Sequence, residues 1–172
     1  MFDEINGMPL HPLIIHVPVI GIPLALLLAV LFAFPRTRAW ARWPLALTVV
    51  GSAAATFAAK ESGEALKASL GLQPGNLVGD LIQRHEELAD QLFYIMLGYA
   101  VIAVAAVFLV PPRVVATGEG ATSARPSRGP LGLILLGLLL VVAAVAMVWV
   151  GRVGDIASRA VWNPNSTGLF PF

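Results

Sequence analysis

The sequence predicts an all-α integral membrane protein: a four-helix bundle with both termini on the outer side of the membrane. Three observations carry that expectation. Four apolar stretches, roughly 12–35, 44–59, 92–112 and 129–150, fill most of the 172 residues, and nearly every ionisable side chain lies outside them. The hydrocarbon core of a bilayer takes about 20 residues of apolar helix. Composition agrees: 58% of residues are hydrophobic and 12% are charged, where soluble domains carry about 25% charged.

The third observation is the distribution of charge behind a net value of +1. The first interhelical segment holds Arg36, Arg38 and Arg42 without an acid, and the third holds Arg113, Arg125 and Arg128 against Glu119 alone. Acids gather elsewhere, at Asp3, Glu4, Glu61, Glu64, Asp80, Glu86, Glu87, Asp90 and Asp155. Basic loops stay in the cytoplasm. Loops near 36–43 and 112–129 are therefore expected inside, and the long second connection and both termini outside.

The size suits one four-helix domain over 1–172. The chain has no cysteine, which excludes disulfides, thiolate metal sites and covalent haem attachment. The few basic residues belong to topology, so no nucleic-acid partner is expected. The lipid bilayer is the expected environment. The acidic leader and the absence of an A-x-A-type cleavage site predict that the first span is retained.

The first helix, about 12–35, opens at Pro12, the residue type favoured at a first helical position. Pro18 and Pro23 each remove a backbone donor, which should bend the helix and free carbonyls near Ile14 and Val19. Trp40 and Trp43 suit the inner headgroup layer. The second helix, about 44–70, repeats Gly51, Ala55, Ala59 and Gly63 every fourth residue, a spacing that lets helices approach closely within or between subunits. A homo-oligomer would use this face. Lys60, Glu64 and Lys67 share a side beyond the membrane.

A turn at Gln73-Pro74-Gly75-Asn76 precedes the third helix, about 77–111. Its first turns are amphipathic, with Asp80, Gln83, Arg84, Glu87 and Gln91 on one side and Leu81, Leu88 and Leu92 on the other. His85 falls in the apolar stripe. The fourth helix, about 130–162, runs outward through Asp155 and Arg159 to Trp162.

This topology brings the residues capable of chemistry to the outer level. His11 and His16 open the first helix, Glu61 closes the second, His85 opens the third, and Asp155 lies near the end of the fourth. His16, about one turn inside the span, is expected to face the bundle interior, where costly polar groups find partners. His85 is expected to face it too. Inward imidazoles on two helices are what an axially bis-ligated haem requires. His16 and His85, with His11 nearby, are therefore candidate ligands of one haem b. A transition-metal ion held by His16, His85, Glu61 and Asp155 is the alternative. Imidazoles bonded to helix carbonyls would be structural instead. No second histidine pair lies near the cytoplasmic end, so two stacked haems are excluded. No nucleophile–base set suggests a hydrolytic enzyme, and the featureless inner half argues against a carrier.

The opening Leu10-His11-Pro12 with His16 and Pro18 resembles the L-H-P-x-x-x-H-x-P start of a bacterial membrane-protein group, "domain of unknown function 2231". The small-residue second helix, His85, and the closing Gly151, Gly154, Val161 and Trp162 are also similar to that group. The resemblance covers nearly the whole chain. It implies four transmembrane helices in a bacterial cytoplasmic (inner) membrane. It also implies respiratory or redox company, because some relatives are joined to iron–sulfur or cytochrome-type domains. Many relatives place a histidine where this chain has Arg152.

Two functions follow as expectations. The chain is a redox-associated component holding one haem b or metal ion at its outer face and meeting a respiratory or redox partner there. Alternatively, it is a non-catalytic membrane anchor or assembly subunit with a polar outer docking platform.

Overall fold

The structure is a computed structural model, and residues 4–110 and 129–165 are described. Two-residue strands, β1 (Glu4–Ile5) and β2 (Met8–Pro9), pair antiparallel ahead of the helices. Asn6 and Gly7 between them both have positive φ, 53° and 75°. That is the two-residue hairpin turn that Asn-Gly favours. The helices are α1 (Leu10–Ile14), α2 (His16–Ala33), α3 (Arg38–Ser69), α4 (Leu77–Leu109) and α5 (Pro130–Trp162).

The expected first helix is divided. It starts at Leu10 and breaks at Ile15. Pro18 supplies no donor for the Ile14 carbonyl, and its ring crowds that carbonyl. The second helix begins at Arg38 rather than 44, so most of the expected 36–43 loop is helix. The expected 112–129 loop falls almost wholly outside the described residues.

Helices α2 to α5 close a ring in which α3 packs between α2 and α4, and α5 packs against both α4 and α2. The shared core takes Ile22, Ala29 and Phe32 from α2, Leu45 and Val49 from α3, Met96 and Tyr99 from α4, and Leu139 and Ala143 from α5. Alanines in this core let the backbones approach, as membrane packing prefers. The outward side is also apolar. Ile20, Leu27, Leu47, Val101, Phe108 and Val141 are all exposed, a girdle that a soluble monomer rarely shows.

Three segments, Leu10–Ala33, Leu77–Leu109 and Pro130–Trp162, are long and apolar enough to cross a membrane. The expectation of four such stretches is corrected at α3, whose central Gly51–Ala59 run is alanine, glycine, serine and threonine apart from Phe57. Its outward positions Leu47, Val50 and Phe57 are nonetheless apolar, as lipid contact beside α2 and α4 requires. The 33 residues of α4 and of α5 extend about 50 Å, against a hydrocarbon core of about 30 Å. The polar N-terminal turns of α4 and the polar C-terminal turns of α5 therefore project beyond the bilayer on the same side.

The turn before α4 is built as its residues dictate. Asn76 Oδ1 accepts from the Gly79 amide at 2.9 Å, and the Gly75 amide donates to Asp80 Oδ1 at 3.0 Å. Gly75 takes φ +110°, which favours glycine.

The small-residue stripe of α3 does not form one close contact. Gly51 is exposed with open space at its Cβ position. The tight approach of α2 and α3 is instead Gly21 against Ser52, where a Cβ on Gly21 would collide with the serine hydroxyl.

In the core, the Tyr99 hydroxyl donates to the Ala25 carbonyl at 2.9 Å. Tyr99→Phe is expected to cost about 1 kcal/mol, the usual net value of one hydrogen bond. Thermal unfolding in detergent reads this directly.

Candidate functional site

The site is built where α1, α3, α4 and α5 meet on the outer side. The β1–β2 turn and Pro12 start α1 beside the outer part of α3, which lays the His11 ring against Ala59, Ser62 and Gly63. His11 Nδ1 lies 2.8 Å from the Ala59 carbonyl and 3.5 Å from Ser62 Oγ. Gly63 makes room for the ring: a Cβ there would stand 3.0 Å from His11 Cε1 and 3.1 Å from Nδ1.

His85, two turns into α4, reaches across to α5, with Nδ1 3.1 Å from the Val153 carbonyl. The apolar cluster of Leu81, Leu88, Ile156 and Ala160 holds these two helix ends together. The rings of His11 and His85 stand edge to face with centroids 6.3 Å apart.

A carbonyl only accepts hydrogen bonds, so each Nδ1 carries the proton. In a neutral ring each Nε2 then keeps its lone pair. This is the tautomer of a histidine oriented for metal ligation through its other nitrogen. Burial pushes the His85 imidazole below its ordinary pKa; the Val153 hydrogen bond opposes that shift, while His11 adds to it.

Ion pairs and one neutral bond tie the surrounding helix ends. Lys67 meets Glu86 at 2.6 Å, and Lys60 meets Glu64 at 2.7 Å and Asp90 at 3.5 Å. The Glu64 hydrogen bond, helped by Asp90 and Glu61, raises the Lys60 ammonium pKa against a desolvation cost. Trp149 Nε1 donates to Gln91 Oε1 at 3.0 Å. Exposed pairs of this kind contribute little energy individually, but together they join α3 to α4 and α4 to α5.

The expected partner of His85 is corrected. His16 is exposed on the outside of the bundle rather than turned inward, because the break at Ile15 separates its direction from that of His11. The ring that meets His85 belongs to His11. Glu61 is exposed and lies 3.9 Å from Lys60, and Asp155 is half-buried on α5. Among the described residues no group of three or more His, Asp or Glu side chains is arranged to hold a metal ion. The four-residue set His16, His85, Glu61 and Asp155 is therefore not assembled. Arg152, at the position of the relatives' histidine, lies over the Trp149 ring at 5.2 Å.

Sequence reasoning missed the carbonyls of Ala59 and Val153, which no side-chain pattern reveals, and the role of Gly63, which had been read only as part of a helix contact.

Helices with apolar outward surfaces and polar ends projecting from one side define a multi-pass helical membrane protein. Residues 7–165 match the family described as "Predicted membrane protein (DUF2231)", and the chain belongs to that family. No curated protein and no solved structure matches it.

Proposed function

We propose that the chain is a redox-associated component of a bacterial cytoplasmic membrane, a single four-helix domain with both termini outward. In this reading His11 and His85 ligate one metal centre near the outer face. The observation that carries it is the ring pair itself. With metal–nitrogen bonds of about 2 Å, two imidazoles on opposite sides of one metal have centroids roughly 6 Å apart, against the observed 6.3 Å. Both rings already hold Nδ1 on a backbone carbonyl, leaving Nε2 as ligand. A haem b iron and a single transition-metal ion share this chemistry, and the remaining positions would belong to the macrocycle or to water. The projecting outer ends of α3, α4 and α5 would receive a redox partner.

A second reading has its own observation. Each imidazole joins two helices through a carbonyl, α1 to α3 and α4 to α5. The rings would then be staples, and the chain an anchor or assembly subunit with a polar docking platform.

Absorption spectra and metal analysis of protein purified from its own membranes separate the two. One centre per chain is expected, with a Soret band for haem or metal without one. His11→Ala and His85→Ala should each remove it, while His16→Ala retains it. Absence of any centre, or its indifference to the first two substitutions, sinks the ligand reading and leaves the anchor.

A further inference from the structure

On the lipid-facing side of the α2–α3 contact lies a groove of about 380 Å³. This is within the range of small-molecule sites, about 300–1,000 Å³. Val17, Ile20 and Leu47 on its walls are exposed, so it opens to the bilayer rather than to the bundle interior. Gly51 presents open space at its Cβ position, and Gly21 likewise adds no side chain, so part of the floor is flat. His16 stands at the outer end. It is exposed and makes no hydrogen bond among the described residues.

Depth gives that imidazole its meaning. The 18 residues from His16 to Ala33 rise about 27 Å, against about 30 Å of hydrocarbon core. His16 therefore sits at the outer margin of the core, just under the headgroups. A polar group there is costly without a partner, and the chain supplies none. An occupant must arrive through the bilayer, be flat enough for the glycine floor, and present a hydrogen-bonding oxygen below the headgroup layer. Phospholipids keep their oxygens in the headgroup layer, and their chains would leave the imidazole unpaired.

We infer that this groove binds the ring of an isoprenoid quinone or quinol, with His16 hydrogen-bonded to a ring oxygen and the tail lying along Val17, Ile20 and Leu47. This is a binding site, independent of whether His11 and His85 hold a metal.

The test uses the full chain in quinone-free lipid nanodiscs, titrated with decylubiquinone and a short-chain menaquinone by calorimetry. Saturable binding to the unaltered protein is expected for at least one of them. His16→Leu should weaken it about tenfold, the loss of one hydrogen bond of roughly 1.4 kcal/mol. Gly51→Leu should abolish it while leaving the melting temperature unchanged, because its side chain enters open space. No saturable binding, or equal affinity in both variants, overturns the inference. So does native mass spectrometry showing a phospholipid or a second copy of the chain held at the groove and released by Gly51→Leu.

Discussion

Arg38→Ala is expected to destabilise the bundle by about 3 kcal/mol, two charge-assisted hydrogen bonds at the lower end of their usual worth. Arg38 is only 3% exposed. Its Nε donates to the Phe32 carbonyl and a terminal nitrogen to the Ala33 carbonyl, each at 3.0 Å. These are the closing carbonyls of α2, which have no helical donors of their own. The guanidinium also lies 5.5 Å from the Phe32 ring centroid. Alanine would leave both carbonyls unpaired at a buried helix end and remove a cation the α2 dipole favours. Lysine should restore only part of the loss, since a single ammonium does not reproduce a fork. Arg36→Ala, at an exposed position, should change stability by less than about 0.5 kcal/mol. Unfolding in detergent compares the three variants. Equal effects at 36 and 38 would mean that Arg38 acts only as a topological charge.

Gly63→Leu is the second large effect. A Cβ alone would stand 3.0 Å from the His11 ring, tighter than ordinary contact, and three further carbons need the space the imidazole occupies. The ring must leave, breaking its bond to the Ala59 carbonyl and releasing α1 from α3. Overpacking costs about 1–3 kcal/mol, and the lost hydrogen bond adds about 1 kcal/mol. Any centre held between His11 and His85 should disappear with it. Gly63→Ala asks only a few tenths of an ångström of the ring and should cost about 1 kcal/mol at most. Melting temperature and metal content together read the series. A Gly63→Leu protein that melts like the unaltered chain and keeps its centre would refute this placement of His11.

The helices were legible because their signals are local. Uncharged length marked α2, α4 and α5, and the Gln73–Asn76 turn marked the start of α4. Pro18 announced a disturbance near Ile14, where the break occurs. Asn6-Gly7 carried a hairpin signal that the surrounding leader obscured. For α3, small residues suited to packing lowered its apolarity, so composition and role diverge.

The site was only half legible. His11 and His85 were both candidates, but His16 was ranked above His11 on its depth in the span. Depth does not decide direction: a one-residue break turns a helix face by about 100°, and that turn placed His11 inside and His16 outside. Arg38 was counted as a loop charge, because a sequence records its sign and not the carbonyls it covers.

Residue chemistry along the chain determined that this protein lives in a membrane, which segments are helical, and that its imidazoles gather near one end. Hydrophobic transfer and backbone hydrogen bonding settle those matters within each helix. Which imidazole meets which, and which carbonyls hold them, was decided only when α1, α3, α4 and α5 came together. Rotation of a helix about its axis costs nothing until a neighbouring helix packs against it.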